Sequence, residues 1–82
     1  MAILYALTTE KSMAMIEKEN KLVFIVEKGT TKKNVSDEIL KSYNEKVKKV
    51  RVINGFNGKK KAIVKFGRKN AAQDVASKLK LI

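Results

Sequence analysis

The chain has 82 residues, of which 44% are apolar, and a net charge of +11, but it contains no Cys, His or Trp. This size allows one small domain spanning residues 1–82, and the apolar content excludes a disordered basic tail. The missing residue types exclude disulfides, thiol or imidazole catalysis and the usual zinc sites.

The N-terminal part of the chain predicts a short apolar segment followed by a helix. Residues 3–7 are either a strand or a packed lead-in to the helix. Thr8 or Thr9 can cap a helix that runs to about Glu19. Glu10 then lies near the positive end of the helix dipole, which favours this start.

A buried strand and a second helix are predicted next. Asn20 can end the first helix, and residues 21–27 form an apolar run with charged ends, which is typical of a strand buried on both faces. Gly29 ends this strand, and Thr31 can cap a helix over about 32–44. The predicted buried face of that helix consists of four residues: Val35, Ile39, Leu40 and Tyr43.

The C-terminal part predicts a hairpin and a third helix. Residues 47–56 and 59–67 alternate in polarity around Asn57-Gly58, a pair that favours tight turns. Asn70 can cap a helix over about 70–79. The outward positions of the hairpin are Lys49, Arg51, Ile53, Lys61, Ile63 and Lys65. The element order predicts an α/β (α+β) fold, a split β-α-β sandwich whose antiparallel sheet carries helices on one face.

The net positive charge comes entirely from the second half of the chain. Residues 1–45 carry seven lysines and seven carboxylates, whereas residues 46–82 carry twelve Lys or Arg and one carboxylate. Such a surplus weakens a compact fold unless a polyanion such as nucleic acid offsets it. The predicted phosphate-binding face consists of Lys49, Arg51, Lys59, Lys60, Lys61, Lys65, Arg68 and Lys69. The alternative is a solvated sheet whose lysines prevent edge-to-edge aggregation.

Two helix starts are further candidates for binding RNA phosphates. Gly29 leads into Thr31, Lys32 and Lys33, where free backbone N–H groups and a positive dipole favour an anion. The other start contains Thr9, Lys11 and Ser12. For each of them, a plain helix cap with solvated lysines is the alternative.

The segment 60–66 with its following helix looks like the third strand of an RNA-recognition motif domain. Such domains stack bases on outward aromatic residues of that strand. Here the outward residues are Lys61, Ile63 and Lys65, and Phe66 lies on the apolar face. The strand therefore favours contact through charge and backbone shape over base stacking.

No arrangement of residues indicates an enzyme. The neighbouring acids Glu17 and Glu19, like Asp37 and Glu38, are explained by solvated helix surface. We expect no catalytic residue, no metal site and no cofactor. The chain also lacks an apolar run of membrane-spanning length and a signal-peptide pattern, so we expect a soluble intracellular protein without membrane insertion.

Several motifs occur in a familiar order along the whole chain. They are Thr9-Glu10-Lys11-Ser12, Asn20-Lys21 with Leu22-Val23-Phe24-Ile25-Val26, Thr30-Thr31-Lys32, Val50-Arg51-Val52-Ile53-Asn54 and Lys59-Lys60-Lys61-Ala62-Ile63-Val64. Together they resemble the family of ribosomal large-subunit protein twenty-three, in its short archaeal-type form. Each motif alone is weak, and their order and spacing carry the resemblance.

The resemblance implies a structural protein of the large ribosomal subunit. Family members bind large-subunit ribosomal RNA at the rim of the nascent-peptide exit tunnel, beside neighbouring ribosomal proteins. They form a docking platform for the signal recognition particle and nascent-chain factors, which nominates Glu10 and Glu17 on the first helix. The strand-end motif of the family adds Asn54 to the RNA-binding residues. The protein would then be cytoplasmic and ribosome-bound.

The chain departs from the family pattern at three places. Ala6 stands where proline is frequent, and Gly55 stands where threonine often follows the strand-end asparagine. The segment 54–61 is too short for the tunnel-lining loop of bacterial-type members. The alternative function is a free-standing basic RNA- or DNA-binding protein, such as a chromatin protein or RNA chaperone. A small phosphate-ester enzyme would need a paired Arg and general base, which the sequence does not contain.

Overall fold

The computed structural model describes residues 3–55 and 58–79, which form four strands and three helices. In chain order these are β1 (Ile3–Ala6), α1 (Glu10–Glu19), β2 (Lys21–Val26), α2 (Lys32–Tyr43), β3 (Val47–Asn54), β4 (Lys60–Phe66) and α3 (Ala71–Lys78). Segment 3–7, which the sequence left as strand or lead-in, begins with strand β1.

The strands form one antiparallel sheet in the order β1-β2-β4-β3. The predicted antiparallel sheet and α+β class are confirmed. The two central strands, β2 and β4, come from opposite halves of the chain, with Leu22 opposite Val64 and Phe24 opposite Ala62. The buried residues of all three helices pack on one face of this sheet, and we call the other the open face. Lys11 and Met15 of α1 also border the open face.

The hydrophobic core lies between the sheet and the helices. Leu22, Phe24 and Val26 of β2 meet Val64 and Phe66 of β4 there. The helices contribute Ile16, Val35, Ile39, Ala71, Ala72, Val75 and Ala76. Residues 22–26 are all buried, as the unbroken apolar run predicted.

The first two helices follow the predicted capping chemistry, whereas Asn70 stands at the start of α3 without the predicted side-chain cap hydrogen bond. Thr9 caps α1 by accepting from Ser12 N, and Thr31 caps α2 in a capping box with Asn34. Asn20 and Asn44 end these helices in the left-handed conformation, which asparagine tolerates better than most residues.

One predicted core residue is wrong. Val35, Ile39 and Tyr43 recur every four residues and face the sheet, but Leu40 is 46% exposed. Leu40 is turned about 100° from Ile39 around the helix axis, and none of the described residues covers that side of α2 enough to bury it. Burial, followed by the nearby Glu38 carboxylate, raises the pKa of Tyr43 above its ordinary value.

The β3–β4 connection is short, as predicted. The backbone N–H of Gly55 donates to Lys59 O at 2.9 Å, and a Cβ at Gly55 would lie 3.0 Å from that oxygen. This close approach accounts for glycine at position 55. Gly58 has a φ of +73°, which suits the predicted turn, while Asn57 lies outside the described residues.

In the parts of the chain that the structure describes, no helix is long and apolar enough to cross a membrane.

Candidate nucleic-acid interface

The strand register arranges the open face in three rows across the sheet. The first row is Tyr5, Ile25, Lys61 and Ile53, which lie opposite one another in turn. The second row is Leu7, Val23, Ile63 and Arg51, with Leu7 N donating to Val23 O at 2.8 Å. The third row is Lys21, Lys65 and Lys49. The open face is therefore apolar and aromatic at one end and cationic at the other.

The cationic end forms a depression of about 320 Å³. Its lining residues are Met15, Lys21, Lys49, Arg51, Ile63 and Lys65. No carboxylate lines it among the described residues, but Lys21 Nζ pairs with Glu19 Oε1 at 3.3 Å beside it. The charge that the depression offers to phosphates therefore comes mainly from Lys49, Arg51 and Lys65. The predicted outward positions of Lys49, Arg51 and Lys65 are confirmed, and Lys21 joins them from β2.

The start of α2 adjoins this cationic end across the β3 edge. Lys32, Lys33 and Ser36 line a depression of about 240 Å³ together with Lys48 and Lys49 of β3. The fold thus brings two predicted phosphate-binding segments, far apart in sequence, to one edge. Thr31 is exposed beside them, but its hydroxyl accepts from Asn34 N at 3.2 Å and so serves the helix cap.

The start of α1 borders the other end of the open face. Thr9 and Lys11 share a depression of about 180 Å³ with Lys61. Ser12 also lines it but is only 4% exposed, and its hydroxyl donates to Leu7 O at 2.9 Å. The alternative interpretation as a helix cap therefore accounts for Ser12, while Lys11 remains an exposed cation beside the sheet.

Two predicted members of the basic face lie elsewhere. Lys60 precedes Ala62, Val64 and Phe66 in the alternation of β4 and so lies on the helix side, opposite Asn54 of β3. Arg68 follows β4 and pairs with Glu45 and Asp74, at 2.6 Å from Asp74 Oδ2. The prediction that both lie on the open face is wrong. Lys60 falls on the opposite side in the alternation of β4. Arg68 follows the end of that strand, and its side chain pairs with carboxylates. Lys69 is exposed in the turn before α3.

The Glu45–Arg68 pair is a feature that the sequence did not reveal. Two nitrogens of the Arg68 guanidinium, Nε and one terminal nitrogen, donate to the carboxylate of the buried Glu45. These hydrogen bonds lower the pKa of Glu45 and raise that of Arg68. The two residues are separated by a whole hairpin and have no periodic relation, so no local signal identifies the pair.

An acidic groove lies on the helix side, between α1 and α3. Met13, Ala14 and Ile16 form its apolar part, and Glu10, Glu17 and Gln73 complete the lining of this volume of about 310 Å³. Glu10 and Glu17 are exposed and lie together here. The structure thus separates a cationic surface on the sheet from an acidic groove on the helices.

A cluster of three or more Asp, Glu, Cys or His side chains that could hold a metal ion is absent from the described residues.

Comparison with known proteins agrees with the resemblance of the motifs. The family model described as Ribosomal protein L23 matches residues 1–80. The large ribosomal subunit protein uL23 of Pyrobaculum aerophilum is 45% identical over 71 residues, covering 87% of this chain and 88% of that protein. The match extends over nearly the whole domain described above, and the chain belongs to the ribosomal protein L23 family.

Proposed function

We propose that this protein is a structural constituent of the large ribosomal subunit and binds large-subunit ribosomal RNA through its open face. The observation that carries the proposal is the cationic end of that face. Lys49, Arg51 and Lys65 line one depression there without a carboxylate among the described lining residues, and Lys21, which pairs with Glu19, completes it. The protein would be cytoplasmic and ribosome-bound, with neighbouring ribosomal proteins at its sides.

The proposed RNA-binding surface continues on both sides of the cationic end. Lys32, Lys33 and Lys48 extend it around β3. Thr9, Lys11 and Lys61 extend it toward α1. Lys59, Lys60, Lys69 and Asn54 lie at its margin. We leave out Ser12 and Arg68, because Ser12 is buried and Arg68 binds two carboxylates.

The acidic groove between α1 and α3 would face away from the RNA. We place the docking of the signal recognition particle and nascent-chain factors there, at the rim of the exit tunnel. The groove offers the two carboxylates Glu10 and Glu17 beside apolar Met13 and Ile16. A basic, partly apolar helix or loop of an arriving factor is the complementary partner.

The RNA-binding proposal is tested by removing cations in matched sets. The triple variant Lys49→Ala, Arg51→Ala, Lys65→Ala empties the cationic end. Its binding to purified large-subunit ribosomal RNA should weaken, and the slope of log affinity against log salt should fall by about 2–3. The measurement is a titration at several salt concentrations.

The control triple is Lys28→Ala, Lys41→Ala, Lys78→Ala, which removes the same charge from exposed positions that line neither depression of the open face. It should keep most of the wild-type slope. Equal losses in both triples would contradict the proposal and favour a free-standing basic protein that binds any nucleic acid through its net charge.

The docking proposal is tested on ribosomes assembled with variant protein. Glu10→Lys with Glu17→Lys should weaken binding of purified signal recognition particle by roughly tenfold or more, because like charges then oppose each other. Glu27→Lys with Asp37→Lys makes the same charge change at exposed positions that do not line the groove. Unchanged binding in the groove variant would contradict the placement of the docking site.

A further inference from the structure

The apolar end of the open face carries an exposed aromatic residue, Tyr5. The outward residues of the segment 60–66 include no aromatic side chain, so the sequence did not predict one on this face. Tyr5 lies on edge strand β1, opposite Ile25, and is 45% exposed. Ile25, the next residue of this row, is only 2% exposed, whereas Ile53 at the far end of the row is 37% exposed. The cross-strand neighbour of Tyr5 is therefore buried, while Tyr5 itself keeps much of its surface toward solvent.

Two lysines accompany the ring. Lys59 Nζ lies 5.7 Å from the centroid of the Tyr5 ring, within cation–π distance. Lys61 belongs to the same row, opposite Ile25. Both ammonium groups are on long flexible stems, so they can move to a phosphate while the ring stays fixed on the strand.

An exposed aromatic ring beside cations matches the chemistry of an unstacked nucleotide. The base offers a flat π surface for the ring, and the adjoining phosphates offer charge to the lysines. A base inside an RNA duplex cannot reach the ring, because both of its faces are already stacked. The complementary ligand is therefore a nucleotide in a loop, a bulge or a strand end.

We propose that Tyr5 stacks on the base of an unpaired nucleotide of the bound RNA, with Lys59 and Lys61 at its phosphates. This inference rests on the proposed function, in which the cationic end of the same face binds the backbone. It gives the two ends different tasks: Lys21, Lys49 and Lys65 supply affinity for phosphate, and Tyr5 selects RNA with an extruded base. The base then stacks on a residue of β1, whereas the outward residues of β4 (Lys61, Ile63 and Lys65) carry only charged and aliphatic groups.

The test compares three substitutions at Tyr5 on two RNA probes. Tyr5→Ala and Tyr5→Leu should each weaken binding to purified large-subunit ribosomal RNA by about tenfold, since stacking contributes that order per base. The salt slope should not change, because no charge is removed. Tyr5→Phe keeps a ring and should bind like the wild type. None of the three should alter binding to a fully paired RNA duplex.

Tyrosine fluorescence gives an independent measurement. The chain has two tyrosines and no Trp, so a Tyr43→Phe variant leaves Tyr5 as the only emitting residue. Its emission should be quenched on adding ribosomal RNA and remain on adding the duplex. Far-UV circular dichroism establishes that each variant is folded, and Tyr5→Leu keeps an apolar side chain opposite Ile25 if Tyr5→Ala unfolds.

The outcomes separate this inference from the proposed function. Wild-type affinity in Tyr5→Ala or Tyr5→Leu, or equal weakening on the duplex, would overturn the stacking role while leaving RNA binding intact. Loss of binding in Tyr5→Phe as well would assign the effect to the hydroxyl group and also overturn it. Failure of the wild-type protein to bind the ribosomal RNA would remove both proposals together.

Discussion

Asn20 shows how one side chain can join three elements. Its backbone takes the left-handed conformation that ends α1, with a φ of 55°. Its side-chain amide donates to the carbonyls of Phe66 and Arg68, the latter at 2.8 Å, and its side-chain oxygen accepts from Ala72 N at 2.9 Å. The last bond caps α3, because Asn70 makes no side-chain cap hydrogen bond there. Asn20 therefore holds the end of α1, the end of β4 and the start of α3 together.

Two substitutions separate the backbone and side-chain roles of Asn20. Asn20→Gly keeps the left-handed conformation but loses the side-chain bonds, and should lower the free energy of unfolding by about 2 kcal/mol. Asn20→Ala adds the cost of a left-handed alanine and should lose about 1 kcal/mol more. Urea unfolding followed by circular dichroism gives both values.

Asn44 supplies the control for this pair. It is also left-handed, with a φ of 54°, and its side chain makes no hydrogen bond among the described residues. Asn44→Gly should stay within about 0.5 kcal/mol of the wild type. Equal losses at Asn20 and Asn44 would show that the left-handed turn, and not the amide, stabilises the fold.

At the scale of elements, the Glu45–Arg68 pair fixes the α2–β3 connection to the turn between β4 and α3. Glu45 follows Asn44 at the end of α2, and Arg68 also reaches Asp74 in the first turn of α3. Gly67 N adds a backbone bond to Lys46 O at 3.3 Å in the same region. The pair is thus part of the contact that closes the edge strand β3 against the rest of the domain.

The charge of Glu45 makes this contact dependent on pH. Its pKa is lowered from an ordinary value of 4.5, first by the hydrogen bonds from Arg68. A lowered pKa in the folded state means that the contribution to stability is complete above 4.5 and is lost as the pH falls through the folded pKa. Arg68→Met should therefore destabilise the protein most at neutral pH, and the difference from wild type should shrink in acid.

Unfolding midpoints in urea between about pH 3 and pH 7 measure this difference. Lys69→Met removes the same charge from the adjacent exposed position and should give a smaller, nearly constant difference. A constant difference for Arg68→Met would mean that the carboxylate of Glu45 contributes nothing, and that only the packing of the arginine stem matters.

At the scale of the whole molecule, the sequence predicted the features that depend on neighbouring residues and missed those that depend on contacts between residues far apart in the chain. The buried run of β2, the threonine caps and the alternation of β4 are local patterns, and each prediction is confirmed. The predicted burial of Leu40 was wrong because the spacing of apolar residues along a helix does not reveal which sides of the helix will be covered by other elements. Arg68 was wrong because its carboxylate partners are 23 and 6 residues away along the chain.

The candidate surface divides in the same way. The outward cations of the hairpin follow from alternation, but their junction with Lys32 and Lys33 depends on how α2 packs beside β3. Tyr5 lies in a four-residue strand with an irregular register between Ile3 and Tyr5, which is too short to show a period. Its place on the open face is set by pairing with β2 and could be read only from the structure.

The strand order also sets when the protein can fold during its own synthesis. β2 is buried on both faces, yet one of its neighbours, β4, is the last strand to be translated. Until residue 66 has been synthesised, the apolar run 22–26 lacks β4 as a pairing partner and lacks most of the core residues that cover it. An unfinished chain therefore exposes this run. A message truncated before β4 would yield an aggregation-prone polypeptide instead of a partly working domain. Folding is therefore nearly all-or-none with respect to translation, so an incomplete copy would remain unfolded and open to proteolysis.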